Sequence, residues 1–121
     1  MNSDSKPDFW DTLAALFKTQ NLVIDRPRGQ QHPRYPDLVY PLDYGYLEGT
    51  SAADGDGIDV WVGSLPEKTL TGILCTFDTG KSDAEIKLLT GCSPADVEII
   101  TRFNAKFMRY LFIPNPKKER T

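Results

Sequence analysis

Apolar residues at Phe9, Leu13, Leu16 and Phe17 recur at helical spacing, with Pro7 and Asp8 in the first turn, and predict an opening helix that ends near Gln20. Leu22 to Asp25 is a short, partly β-branched apolar run stopped by Pro27, which predicts a strand. The pattern then lapses. Arg26 to Asp37 holds three prolines, one glycine and the only histidine, His32, so it reads as loop, with His32 expected to be solvated rather than a ligand. Ile58, Val60 and Val62 alternate as in a strand. Thr69 to Phe77 and Glu85 to Thr90 predict two more, joined by the polar turn D-T-G-K-S-D. These connections are too short for helical crossovers, so the sheet is expected to be antiparallel or mixed.

A second helix is predicted from Ser93, Pro94 and Asp96, an S-x-x-D capping pattern. Its apolar face runs through Val97, Ile100, Phe103, Phe107 and Tyr110 or Leu111, and Pro114 and Pro116 stop it. The expected architecture is α+β: a small, β-rich domain over residues 1–121 with a helix at each end, residues 1–6 and 115–121 being frayed.

A chain of 121 residues buries one core, and 40% hydrophobic with 26% charged residues is ordinary for a folded protein. A net charge of -3 with scattered basic residues argues against a dedicated nucleic-acid partner. No apolar stretch is long enough to cross a bilayer and no basic start precedes an apolar run, so no membrane partner and a cytoplasmic location are expected. Cys75 and Cys92 lack metal-ligand spacing and suit reduced thiols, Cys75 in the core.

Asp54, Asp56 and Asp59 form D-x-D-x-x-D, and Gly55 and Gly57 between them let the backbone turn tightly. Carboxylates gathered this way repel one another without a cation, and their hard oxygens favour Mg2+, Mn2+ or Ca2+ over zinc. An EF-hand is excluded, because counting from Asp54 its glycine position holds Asp59 and its closing glutamate position Leu65. By itself D-G-D-G is more often a bare surface turn. Asp78 and Asp83, flanking the next turn, could close a second side, and five aspartates suffice for hard cations that leave room for water and phosphate.

The stretch YPLDYGYLEGTSAADGDGIDVWV resembles the signature of soluble, family I type inorganic pyrophosphatases, in which Y-P-x-x-Y-G precedes a D-G-D-P-x-D-V loop. The resemblance runs from Leu22 to Asp83. It implies a shortened form of that family's OB-like barrel and Mg2+-dependent hydrolysis of pyrophosphate to two phosphates, with Mn2+ as the alternative cofactor. Asp54, Asp56, Asp59, Asp78 and Asp83 then become metal ligands, with Asp56 also activating water; Tyr44 and Tyr40 line the site, Tyr44 close to the chemistry. Asp25 stands where the family has a glutamate and Arg34 where it has a phosphate-binding lysine.

Several positions depart from the family. Only Asp37, Leu38 and Val39 separate Pro36 from Tyr40, where the family carries a hairpin with a phosphate-binding arginine; Pro36 replaces an acidic residue and Gly57 a proline. Glu85 replaces a lysine, for which Lys87, two residues along the same strand face, is the candidate substitute as a phosphate-binding group. Arg102, Lys106 and Arg109 offer further charge on the last helix. With the phosphate side thinned, the alternatives are a metal-dependent hydrolase of another small phosphoester or nucleotide, and a non-catalytic metal- or phosphate-binding module. The family's habit and the short chain make a homo-oligomer plausible.

Overall fold

Asp8 caps the first helix rather than joining it: its carboxylate accepts from Asp11 N at 2.9 Å, and Asp11 answers at the Asp8 backbone, so α1 spans Phe9–Thr19. The computed structural model describes residues 7–117. After α1 come β1 (Leu22–Arg26), β2 (Asp43–Leu47), β3 (Ile58–Val62), β4 (Leu70–Asp78), β5 (Asp83–Thr90), α2 (Pro94–Ala105) and β6 (Arg109–Pro114). The strands form one mixed sheet in the order β1-β2-β3-β5-β4-β6, antiparallel throughout except for β3 beside β5. This is the small β-rich α+β architecture that the pattern pointed to, with the OB-like character that the resemblance implied.

Strand pleating sorts the core into two layers. Leu47, Val60, Ile73 and Leu88 face α1, which covers them with Trp10, Leu13, Leu16 and Phe17, while Phe9 stays outside. Trp61, Leu74 and Leu89 face the other way, under Ile100 and Phe103 of α2 and beside Tyr40 and Tyr44. The capping box of α2 is present as expected, and Asp96 Oδ2 also accepts from Ser64 N and Ser64 Oγ, both at 2.8 Å, pinning the helix to the loop after β3.

Three sequence expectations change. Helix α2 stops at Ala105, so the chain ends on a strand and not on a helix. Phe107 and Met108 turn back on the Asn104 carbonyl, and Arg109 onward pairs with β4, whose outer edge would otherwise lack a partner. Strand β2 emerges inside the aromatic segment, where Asp43 and Gly45 lower β-propensity. Residues 115–117 are anchored: Asn115 is buried, its Nδ2 donating to Leu70 O, and Lys117 bridges to Asp8 and Asp11. The remaining termini expected to fray, 1–6 and 118–121, lie outside the described residues.

Gly45 is forced by packing. It pairs with Ile24 across the β1–β2 ladder, where a Cβ would run into the Val23 carbonyl. Gly45→Ala is therefore expected to cost about 2–4 kcal/mol of stability, read as a lowered urea midpoint with an unchanged slope. A midpoint equal to that of the natural protein would show that β1 does not approach β2 so closely.

Candidate active site

The same pleat that sorts the core places polar residues on one sheet face. Tyr46 pairs with Asp59 and Tyr44 with Trp61 across β2 and β3, while Thr76 pairs with Glu85 and Asp78 with Asp83 across β4 and β5. A bulge between Ile24 and Arg26 lets the consecutive residues Asp25 and Arg26 both reach this side. Together they floor a cleft of about 600 Å3. Every residue marked from the sequence lines it: Asp25, Arg34, Tyr40, Tyr44, Asp54, Asp56, Asp59, Asp78, Asp83 and Lys87.

The aspartate loop is shaped by its own bonds. Gly55 takes φ 90°, Asp54 Oδ1 accepts from Asp56 N at 3.0 Å, and Thr50 Oγ1 donates to Leu47 O while accepting from Ile58 N. Asp78 Oδ1 accepts from Gly80 N and Lys81 N, folding the β4–β5 turn. Its other oxygen lies 4.0 Å from Arg34 Nη1, so Arg34 pairs with Asp78 and not with Asp25.

Lys87 is the most enclosed charge. Its ammonium donates to Tyr44 Oη at 2.9 Å, Asp59 Oδ2 at 3.1 Å and Glu85 Oε1 at 3.2 Å, which uses all three of its hydrogens. Burial works against the charge, yet the oxygens of Tyr44, Asp59 and Glu85 hold its pKa above the ordinary lysine value. Burial likewise raises the Tyr44 phenol, despite Lys87, so it stays protonated. Burial also raises Glu85, with Lys87 opposing. A phosphate contact by Lys87, expected from the sequence, finds no free donor in this arrangement.

Among the described residues no three carboxylates converge on one point. Asp59 is held by Lys87, Asp54 by the Asp56 amide and Asp78 by its turn, so the loop gathers donors around one cleft without closing a cage. The set is nonetheless all hard oxygen, lining a cavity that Arg26, Arg34 and Lys81 also border, the donor chemistry of Mg2+ or Mn2+ beside phosphate. A cation there would have to draw the aspartates together by side-chain rotation.

The sequence reading missed Arg26, Lys81 and His32 as lining residues, and took Glu85 only as the replacement of a lysine. Lys81, between Asp78 and Asp83, carried a positional signal; the others depend on the bulge, the strand register and the loop path. His32 is half-buried, not solvated: its ring lies parallel to Tyr40 with centroids 5.7 Å apart, and its Nδ1 accepts from Arg34 N and Tyr35 N. Burial and the neighbouring arginines lower its pKa. Arg102, by contrast, pairs with Glu98, and neither Lys106 nor Arg109 lines the cleft. Trp61 Nε1 is a buried N–H with no hydrogen-bond acceptor among the described residues, and its indole meets Tyr44 edge-on at 4.7 Å.

A family model described as inorganic pyrophosphatase matches residues 16–86. The inorganic pyrophosphatase of Geobacillus stearothermophilus is 35% identical over 60 residues, 43% of this chain and 36% of its own length. That of Aeropyrum pernix is 31% identical over 94 residues, 71% of this chain and 47% of its own. The chain thus spans less than half the length of these relatives. No helix among the described residues is long and apolar enough to cross a membrane.

Removing the Lys87 ammonium strands Asp59 and Glu85 in partly dry surroundings. Lys87→Met is expected to cost about 3 kcal/mol of stability at neutral pH, near the low end for breaking a buried pair because both carboxylates keep some water contact. Chemical denaturation would check it, and a loss under about 0.5 kcal/mol would mean that the triad is a solvated surface pair.

Proposed function

Because the chain belongs to the inorganic pyrophosphatase family, we propose that it hydrolyses inorganic pyrophosphate to two orthophosphates with the help of Mg2+, Mn2+ being the alternative. The reading rests on one observation: ten residues marked along 63 positions of sequence, from Asp25 to Lys87, border a single cleft. Asp54, Asp56, Asp59, Asp78 and Asp83 would hold a hard divalent cation, which would supply positive charge against the phosphate oxygens and lower the pKa of a bound water.

The chain's own groups do the rest. Asp56, whose backbone is fixed by Asp54 but whose carboxylate has no protein hydrogen-bond partner among the described residues, takes the proton as water adds to phosphorus. Arg34, Arg26 and Lys81 neutralise the phosphate oxygens, the departing phosphate among them. Arg26 Nη1 donates to Tyr40 Oη at 2.8 Å, which gives Tyr40 a role in orienting the guanidinium, while Asp25 lines the cleft beside it. Lys87 acts through its partners, holding the Asp59 carboxylate and the Tyr44 hydroxyl in place.

Two outcomes follow. Asp56→Asn is expected to lower phosphate release from pyrophosphate by roughly a hundredfold or more at saturating Mg2+, with a melting temperature in EDTA no lower than that of the natural protein, since one repelling carboxylate is removed. Activity near that of the natural protein would remove Asp56 from the mechanism. Millimolar Mg2+ is expected to raise the melting temperature over EDTA, since a cation relieves carboxylate repulsion in the folded state only. An equal melting temperature would dismiss the metal site.

A further inference from the structure

Half of the cleft is not made for phosphate. Part of its wall is a ledge of His32, Tyr35 and Phe107, with ring centroids 5.1 Å apart for His32 and Tyr35, 5.1 Å for His32 and Phe107, and 5.4 Å for Tyr35 and Phe107. The ledge is stiff. His32 is fixed by the two backbone amides on its Nδ1 and by its stacking on buried Tyr40, which in turn packs on Phe103. Rings whose only task was to join the loop to α2 would be covered, whereas Tyr35 is 37% exposed.

Only Asp37, Leu38 and Val39 lie between Pro36 and Tyr40, and this short connection turns back at once, Leu38 N bonding to Tyr35 O, leaving the ledge open. Arg34 stands at the junction: its guanidinium lies 5.7 Å from the Tyr35 ring and 4.0 Å from Asp78. Pyrophosphate is two phosphate groups and nothing else. It has no use for an aromatic wall, and it fills little of a 600 Å3 cleft, a size within the roughly 300–1,000 Å3 of sites for larger organic ligands.

We propose that the cleft takes a phosphoanhydride carrying a flat organic ring, a nucleoside diphosphate, with its base stacked on the Tyr35–His32–Phe107 ledge and its phosphates at Arg34 and the aspartates. The cleavage step rests on the hydrolase reading above; the binding does not. In that step the water oxygen bonds to the terminal phosphorus, the bridging P–O bond breaks, the bridging oxygen leaves with the nucleoside monophosphate, and the water proton passes to Asp56. No oxidant or second reactant is needed. Base stacking on an aromatic side chain is sequence-tolerant, so the ledge selects for a ring and not for one base.

Calorimetry with AMP, which offers a base and a phosphate but no anhydride, tests the ledge without turnover, and kinetics with ADP and pyrophosphate at saturating Mg2+ test its use. AMP is expected to bind, Tyr35→Ala to weaken it by roughly five- to a hundredfold, and Tyr35→Phe to restore most of the affinity. The ratio of kcat/KM for ADP to that for pyrophosphate should fall at least fivefold in Tyr35→Ala. An absence of AMP binding, or an affinity and a ratio that do not move in Tyr35→Ala, overturns the ledge even if pyrophosphate is cleaved. If AMP binding follows the expected pattern while neither anhydride is cleaved, the ledge is supported and the hydrolase reading fails.

Discussion

A single buried ammonium holds the candidate site together. Lys87 on β5 reaches Tyr44 on β2 and Asp59 on β3, so three strands are joined at the floor of the cleft by one charge. Enclosing that charge is costly, and the cost is offset only while all three acceptors stay in register. The constraint works in both directions. It fixes the Asp59 carboxylate, and it gives Glu85 a partner where a positive residue was anticipated: Glu85 is an acceptor for Lys87 two residues along the same strand face.

Around that centre the cleft is divided by charge. The carboxylates cluster at the entry to β3 and around the β4–β5 turn, while Arg26 ends β1 and Arg34 comes from the segment that follows it, whose pairing among the described residues is an isolated bridge from Gln31 to Val39. Arg34 exchanges contacts with both the acidic half and the aromatic half. The sheet and its turns therefore supply the acidic groups, and the segment after β1 supplies Arg34 with the aromatic rings of His32 and Tyr35.

Much of this was visible in the sequence, and what was not has identifiable causes. The α2 cap was legible because Ser93 and Asp96 form a purely local motif. The aspartates were legible because their spacing to Tyr40 and Tyr44 survives along the chain. Strand β6 was not, because Phe107, Tyr110 and Leu111 fit a helical repeat while Arg109 to Pro114 also fits alternation; the free edge of β4, invisible locally, decides between them. Arg26 and His32 were hidden for a similar reason, since a bulge and the path of a proline-rich loop, not a motif, bring them to the cleft.

The strand order has a consequence for how the molecule assembles. Strand β6 returns to β4 only after α2 and from farther along the chain, whereas β4 and β5 are joined by a tight turn, so that pair is built from contacts near in sequence. Joining it to β3 requires β5 to dock in parallel beside Val60–Val62, closing a long loop, with Lys87 and Asp59 separated by 28 residues. The cleft lies along that seam, so the candidate site is complete only once β3 and β5 have met. Interactions formed after the rate-limiting barrier slow unfolding and leave the folding rate nearly untouched. A ligand bridging the seam would accordingly act as a latch on the finished protein, lengthening its lifetime without hastening its birth.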